Sequence, residues 1–246
     1  MLGAIILEIM AFAVFGGLSF VFYDREAQPL IRRDFIVDAL YFLLSVAVYS
    51  AMVGWMFAHV RAPFTARVIG RWPVWLQALI VGVAYDGLQY VLHRWFHGDR
   101  LWRFHAVHHS AQEIDIMTGF RNHPFNVLIY LGGPTAALLL LGFSPAAFAV
   151  LAPFNFAMSC LTHANLNWTY GPFRYVIASP MFHRWHHAIV EGSQSRNYAP
   201  NFPVWDLMFG SYHMPMGEKP VAYGAPDVPG HFIGQMAYPF SRRTEA

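Results

Sequence analysis

The chain has 246 residues, 56% of them hydrophobic and 12% charged, with a formal net charge of +2. An average soluble domain is about 25% charged, so the composition excludes an ordinary soluble surface, and a charge so near zero excludes a nucleic-acid binder relying on phosphate contacts. The single cysteine, Cys160, excludes an intramolecular disulfide, and the length fits one domain spanning residues 1–246.

Residues 1–23 are apolar apart from Glu8. A cleavable signal would begin with Lys or Arg, so a first membrane helix is expected instead. A second apolar run covers 36–60, with Asp38 at its edge, and a third covers 73–92, with Asp86 near its end. Each approaches the roughly 20 residues needed to cross ~30 Å of hydrocarbon. Two shorter apolar runs, 125–141 and 145–162, flank the G-F-S-P turn at 142–145 and predict a helical hairpin that dips in and returns. From Asn165 to Ala246 the chain is rich in Pro, Gly, Trp and Tyr, which predicts short helices and loops forming a cap. The expected fold is an all-α integral membrane bundle of about four to five membrane helices, the hairpin included, under a cytoplasmic histidine-rich cap. Basic residues give the orientation. If the third helix delivers His93 to the cytoplasm, thirteen basic residues share that side, Arg25, Arg242 and Arg243 among them, against only Arg61, Arg67 and Arg71 on the other.

The third helix runs directly into the most informative stretch, 86–109. It holds His93 and His97 at H-x-x-x-H spacing, then His105, His108 and His109 at H-x-x-H-H. The second spacing returns as His183, His186 and His187 in H-R-W-H-H. Residues three and four apart share a helix face, so each motif aims its imidazoles at one region. A pH sensor needs no such repetition, and the aromatic-rich surroundings are unlike a low-complexity metal-scavenging tract. Imidazole is the commonest metal ligand, and eight are too many for one tetrahedral or octahedral ion, so two metals are expected. His163, in T-H-A-N at the returning end of the hairpin, is expected as a ninth ligand, with Asn165 in support. His123, in R-N-H-P, reads as a supporting donor or a helix start, with a tenth ligand as the remaining option. Asp86, Tyr90, His93 and His97 fall on one helical stripe. Asp86 is thus a candidate acceptor for the second N–H of a bound imidazole, with helix capping or pairing to Arg94 as the alternative, and Tyr90 stands beside it. His59, His213 and His231 lack partners at ligand spacing.

No H-E-x-x-H zinc-protease motif and no E-x-x-H di-iron bundle motif occurs. A site of neutral imidazoles leaves two cations with little ligand charge to offset them. Oxide, hydroxide or dioxygen-derived ligands would supply it, which points to iron and oxygen chemistry, although the ligand type also admits zinc or copper.

The segments H-R-W-F-H (93–97), H-A-V-H-H (105–109) and H-R-W-H-H (183–187) resemble the three histidine boxes of the fatty acid hydroxylase/sterol desaturase superfamily of integral membrane enzymes. Supporting matches are D-x-x-x-Y-x-x-H-R (86–94), T-H-A-N (162–165), R-N-Y (196–198) and W-D-L-M-F-G-S-Y (205–212). The resemblance covers residues 73–213. It implies two iron ions with dioxygen as co-substrate, zinc being able to occupy the site in a purified sample. It also implies a lipid or other apolar substrate, electrons from a separate redox protein or reduced cofactor, and hydroxylation or desaturation at a cytosolic site. Two departures stand out. Ser159 occupies the position of a further histidine found in some members, leaving water or His123 to complete the shell, and N-Y-A (197–199) replaces the common N-Y-G. A non-catalytic metal-binding membrane protein and a di-zinc hydrolase remain the alternatives of other classes.

Overall fold

A computed structural model of the chain describes residues 2–22, 32–189 and 196–241. Met1 and Tyr23, the expected ends of the first helix, lie outside the described residues, as do Arg25, Arg242, Arg243 and the terminal Ala246. Among the described residues the structure is helical apart from one isolated antiparallel bridge between Ala188 and Tyr223. Four long helices, α1 (Leu2–Val21), α2 (Phe35–His59), α3 (Val74–Phe96) and α7 (Pro145–His163), form the bundle. Between α3 and α7 lie α4 (Trp102–His109), α5 (Pro124–Tyr130) and α6 (Gly132–Leu140). The short helices α8 (Pro180–His187), α9 (Val204–Met208) and α10 (Phe232–Ala237) follow. Helix α7 packs against α1 and α3, and α2 packs against α5 and α6.

Helices α2 and α7 are long and apolar enough to cross a membrane, and Ile6–Val21 and Pro124–Leu140 are shorter apolar stretches. The third expected span, α3, is more polar because Gln77, Asp86 and Gln89 interrupt it. All three are buried, while Leu79, Val83, Leu88 and Val91 of the same helix face outward. Its polarity is therefore spent inside the protein and its outer face remains apolar.

The expected hairpin is present, but its first arm is broken between Tyr130 and Gly132. Pro134 has no N–H to offer Tyr130 and its ring crowds that carbonyl, which ends the preceding helix. The Leu131 carbonyl at the break accepts bonds from the Tyr85 hydroxyl at 3.1 Å and the Thr135 hydroxyl at 2.8 Å. A Cβ at Gly132 would lie 2.6 Å from the Met52 sulfur, so the break also lets α2 approach closely. At the hairpin apex, Gly142 takes φ 100°, and the buried Gln77 side chain accepts the Ser144 N–H and donates to the Trp72 carbonyl, both at 2.8 Å. One amide thus ties the turn to the start of α3, while Gly142 and Phe143 donate back to the Leu139 and Leu138 carbonyls of α6.

At the other end of the bundle a buried charge network fastens the start of α2 to the segment after α4. Asp38 bridges Arg32 and Arg121, each at 2.5 Å, and all three side chains are essentially inaccessible. Asp115 completes Arg32 at 2.5 Å and Asp34 completes Arg121 at 3.2 Å. Removing one member of a buried pair strands the other charge, at a cost of about 3–5 kcal/mol, whereas losing a partly solvent-exposed second partner such as Asp34, with Asp38 still in place on Arg121, costs about 1 kcal/mol or less. Asp38→Ala is therefore expected to lower unfolding free energy in micelles by about 3 kcal/mol, and Asp34→Ala by about 1 kcal/mol or less. Equal losses in the two variants would show that Asp38 is not the keystone.

Candidate metal centre

Each histidine-bearing helix has a locally encoded start or end. Helix α8 begins at Ser179, whose hydroxyl accepts the Phe182 N–H at 3.1 Å, with Pro180 in the first turn where its missing N–H costs nothing. All eight residues of α8 are buried, so its motif faces protein on every side. Helix α4 follows α3 after a tight turn around Gly98, which brings the first two motifs face to face.

Nine imidazoles converge into two groups. His93, His97, His105, His109 and His186 form one, and His108, His163, His183 and His187 the other. Within each group the nearest ring nitrogens all lie within 4.8 Å of one another. The groups adjoin, with the His109 and His187 rings stacked at 4.4 Å.

Hydrogen bonds determine which nitrogen faces inward. His93 Nδ1 lies 2.6 Å from the Tyr198 carbonyl, His186 Nδ1 2.7 Å from that of Arg196, His163 Nδ1 2.8 Å from that of Ser159, and His108 Nδ1 3.3 Å from that of Arg121. His105 Nδ1 meets Asn126 Oδ1 at 3.2 Å, and the amide is oriented because its Nδ2 donates to Asn122. Each of these oxygens can only accept, so Nδ1 donates and Nε2 carries a bare lone pair. Yet in pairs where both Nδ1 atoms donate outward the Nε2 atoms face one another: His93–His105 at 2.9 Å in the first group and His163–His108 at 3.4 Å in the second. Lone pairs at such distances repel unless a cation lies between them. The separations match the edges of a coordination shell with metal–nitrogen bonds of about 2.1 Å. The donor set therefore fits two metal ions.

The electrostatics agree. Burial holds His105, His108, His109, His183, His186 and His187 well below the ordinary imidazole range, and the neighbouring imidazoles push them further down. All six are neutral near pH 7, the state that binds a metal.

The structure thus brings all nine expected ligand candidates together, but gives the expected supporting residues other tasks. Asp86 touches no imidazole: its carboxylate accepts the Asn201 and Phe202 backbone N–H groups at 3.0 and 3.2 Å and the Trp205 indole at 2.9 Å. Its place on the stripe put it one turn too far from the imidazoles. Tyr90 pairs with the Ser211 hydroxyl at 2.9 Å and stacks on Phe209. Asn165 accepts from Arg184, which also donates to the Ile114 carbonyl at 3.2 Å, so it orients α8 rather than a ring nitrogen. His123 lies outside both groups. It caps α5 by accepting the Phe125 N–H at 3.2 Å, donates toward the Met236 carbonyl at 3.3 Å and packs on Phe104. It does not stand in for the histidine missing at Ser159. His231 likewise caps α10, His59 stacks on Trp55 and His213 packs on Trp185.

The residues that support the imidazoles in fact were not among the sequence candidates. Backbone carbonyls leave no side-chain signature, so those of Arg121, Ser159, Arg196 and Tyr198 were invisible. Asn126 was detectable as a polar residue inside an apolar arm. Asp206 was detectable within the W-D-L-M-F-G-S-Y match; its carboxylate accepts the Tyr198 and Ala199 N–H groups, both at 2.8 Å, and thereby fixes the Tyr198 carbonyl.

The family model described as fatty acid hydroxylase matches residues 78–211, which include all nine imidazoles. Ornithine lipid hydroxylase OlsE of Rhizobium tropici is 31% identical over 175 residues, covering 70% of this chain and 53% of that protein. Alkylglycerol monooxygenase of Danio rerio is 33% identical over 157 residues, covering 62% and 33%. A rice very-long-chain aldehyde decarbonylase, GL1-9, is 27% identical over 199 residues, covering 78% and 75%. The chain thus spans about half of the first relative and a third of the second. No solved structure matches.

The depressed imidazoles fix a pH dependence for the metal-free protein. Once unfolded, each regains an ordinary affinity for protons near about pH 6.5, while the folded form stays neutral. The unfolded state therefore binds more protons below that value, and the stability from these groups, fully present above it, falls as pH decreases. Denaturant unfolding of chelator-treated protein should show stability level above about pH 7 and dropping steeply below about 6.5. Equal stability at about pH 7.5 and 5.5 would contradict the neutral cluster.

Proposed function

The chain belongs to the fatty acid hydroxylase family, and on that premise we propose that it is a di-iron, oxygen-dependent membrane monooxygenase. Its reaction would hydroxylate an unactivated C–H bond of a lipid or other apolar substrate. The observation that carries this reading is the convergence of nine imidazoles in two adjoining groups, each with a facing pair of bare Nε2 lone pairs. His93, His97, His105, His109 and His186 would hold one iron, and His108, His163, His183 and His187 the other. Bound iron would supply redox chemistry with dioxygen, using electrons from a separate redox protein or reduced cofactor.

The protein's own contribution is positioning and the exclusion of water. Carbonyls and Asn126 lock five rings in the tautomer that presents Nε2. A buried cluster including Tyr90, Met158, Phe182, Trp185 and Tyr198 seals one flank. Tyr130 and Tyr198 pack on His93 at 5.5 and 5.8 Å, and Trp102 packs on His97 and His109 at 5.2 and 5.3 Å. Among the aromatic residues of the histidine motifs, Phe96 and Phe182 are core and Trp95 is exposed. The relatives named as ornithine lipid hydroxylase and alkylglycerol monooxygenase support a lipid-like substrate. We further propose a multi-pass membrane protein with α1, α2, α3 and the α5–α7 hairpin in the bilayer. Its imidazoles would face the cytoplasm, as the asymmetry of basic residues favours.

Iron-reconstituted protein should bind about two iron atoms per chain and consume dioxygen when given reductant and substrate. Two bound metals with no oxygen uptake for any lipid would leave the hydrolase or metal-carrier readings. His163 contacts both His183 and His108, so His163→Ala should lose one iron and abolish turnover. His123→Ala should retain both irons and lose only a helix cap, about 1 kcal/mol, and His59→Ala should match the parent. A His163→Ala protein with two irons and normal turnover would remove His163 from the ligand set.

Topology has its own test. A reporter fused after Ala246 should register as cytoplasmic, and a signal from the opposite side would invert the arrangement.

A further inference from the structure

We propose that residues 200–209, the loop leading into α9 and the helix itself, are a re-entrant membrane element. Asp86 anchors it, and acyl chains of the leaflet nearest the imidazoles cover its outer face. The inference rests on the membrane reading above and adds to it a segment with no transmembrane character of its own.

Depth is the first argument. The Asn201 side chain donates to Asn155 Oδ1 at 3.0 Å, and Phe202 stacks on Phe154 at 6.2 Å. Both partners lie inside α7, eight residues or more before its end at His163. At 1.5 Å per residue that is about 12 Å below the imidazoles. Helix α7 has 19 residues, about 28 Å, barely the thickness of the hydrocarbon, so a contact this far along it lies within the bilayer. On α3 the segment rises from about 9 Å below His93, at Gly87, to about 4.5 Å below it, at Tyr90. Trp205 packs so tightly on Gly87 that a Cβ there would lie 2.9 Å from the indole. Phe209 stacks on Tyr90 at 5.4 Å. The exposed apolar face of α3 continues above this level through Val91 to Trp95, each more than half exposed, and Trp is the residue that marks membrane interfaces.

The second argument is how the backbone is satisfied. Irregular backbone survives at membrane depth only where its polar groups are satisfied by protein. From residue 198 to 203 every backbone N–H is either bonded to a buried carboxylate or absent. Tyr198 and Ala199 donate to Asp206, and Asn201 and Phe202 donate to Asp86. Positions 200 and 203 are prolines. The Trp205 indole N–H also goes to Asp86. A loop in water needs none of this. A carboxylate inside a membrane helix is expensive unless it has such a task.

The outer face supplies the third. Val204, Leu207, Met208 and Phe209 are 43, 45, 64 and 53% exposed, an apolar surface alongside the stretch of α3 between Gly87 and Tyr90. The segment also connects to the metal centre, since the Arg196 and Tyr198 carbonyls just before it hold His186 and His93. Seating of the loop in lipid is thereby tied to assembly of the five-imidazole group.

The test uses the full chain with Cys160→Ser in native membranes, opened so that reagent meets both faces. Single cysteines are placed by Met208→Cys on α9, Val150→Cys on the exposed face of α7 and Met216→Cys in the cap. A membrane-impermeant maleimide should label Met216→Cys and leave Met208→Cys and Val150→Cys unlabelled until detergent is added. A bimane on Met208→Cys should be quenched by nitroxide-labelled phospholipid. Labelling of Met208→Cys with Val150→Cys still protected would overturn the re-entrant element and leave the membrane reading intact. Labelling of both would overturn the two together. Adding Asp86→Ala should expose Met208→Cys alone, and continued protection there would remove Asp86 as the anchor. If that variant does not fold, the labelling of the three single cysteines still decides the placement of the segment.

Discussion

The structure depends on a constraint that neutral imidazoles impose when they are crowded together. Each ring has one donor and one acceptor nitrogen, and a cluster that turns every acceptor inward must find an external acceptor for each donor. Five of the nine rings meet that demand with a carbonyl or Asn126, and those partners come from four different segments. Helices α3, α4, α5, α7 and α8 and the segment around residues 196–198 have to close around the site together, because each supplies either a ring or the oxygen behind one. Without a cation at their centre the inward lone pairs would repel, so a buried cluster of this composition would be a defect in a protein that did not bind metal.

The same accounting explains the few charges in so apolar a chain. Asp38 bridges two buried guanidinium groups that Asp115 and Asp34 complete, and one of them, Arg121, belongs to the residue whose carbonyl holds His108. Asp206 fixes the Tyr198 backbone behind His93. Arg184 crosses from α8 to Tyr223, Ile114 and Asn165 and ties the third histidine motif to the cap. Buried ion pairs are weak contributors to net stability but costly to break. Their value here is in fixing where the backbone oxygens behind the imidazoles lie.

Much of this was legible in the sequence, for identifiable reasons. Repeated i, i+3 and i, i+4 spacing forces rings onto one helix face, so the convergence of the three motifs could be read directly. His163 was legible because an apolar arm ending in T-H-A-N must return to the face from which it left. What spacing cannot convey is a contact between segments far apart in the chain. Asp86 shares a stripe with His93 and His97, but its partners lie 115 to 119 residues later. His123 could not be separated into cap and ligand by sequence, since R-N-H-P suits either, and its ring turns toward Phe104 and Met236. The break at Leu131 was visible in Pro134 but was read as an uninterrupted arm.

The unequal division of the imidazoles bears on how such a site would work. An ion held by five imidazoles has fewer places for exogenous ligands than one held by four, and open positions are where chemistry occurs. The smaller group is the one next to Ser159, the position at which some members of the superfamily resembled by the sequence carry a further histidine. That residue instead supplies the carbonyl that receives His163 Nδ1. The surroundings are tight: a Cβ on Gly119 would lie 3.0 Å from both Ser159 Oγ and His163 Nδ1. Glycine at 119 thus permits close packing behind the His163 ring, on the side that carries Nδ1 rather than the inward Nε2. The larger group lies against Tyr130, Tyr198 and Trp102, so the two ions would differ in surroundings as well as in ligand number. That asymmetry follows from how α4 and α8 divide their histidines: each H-x-x-H-H motif sends rings to both groups, and only the contributions of α3 and α7 distinguish them.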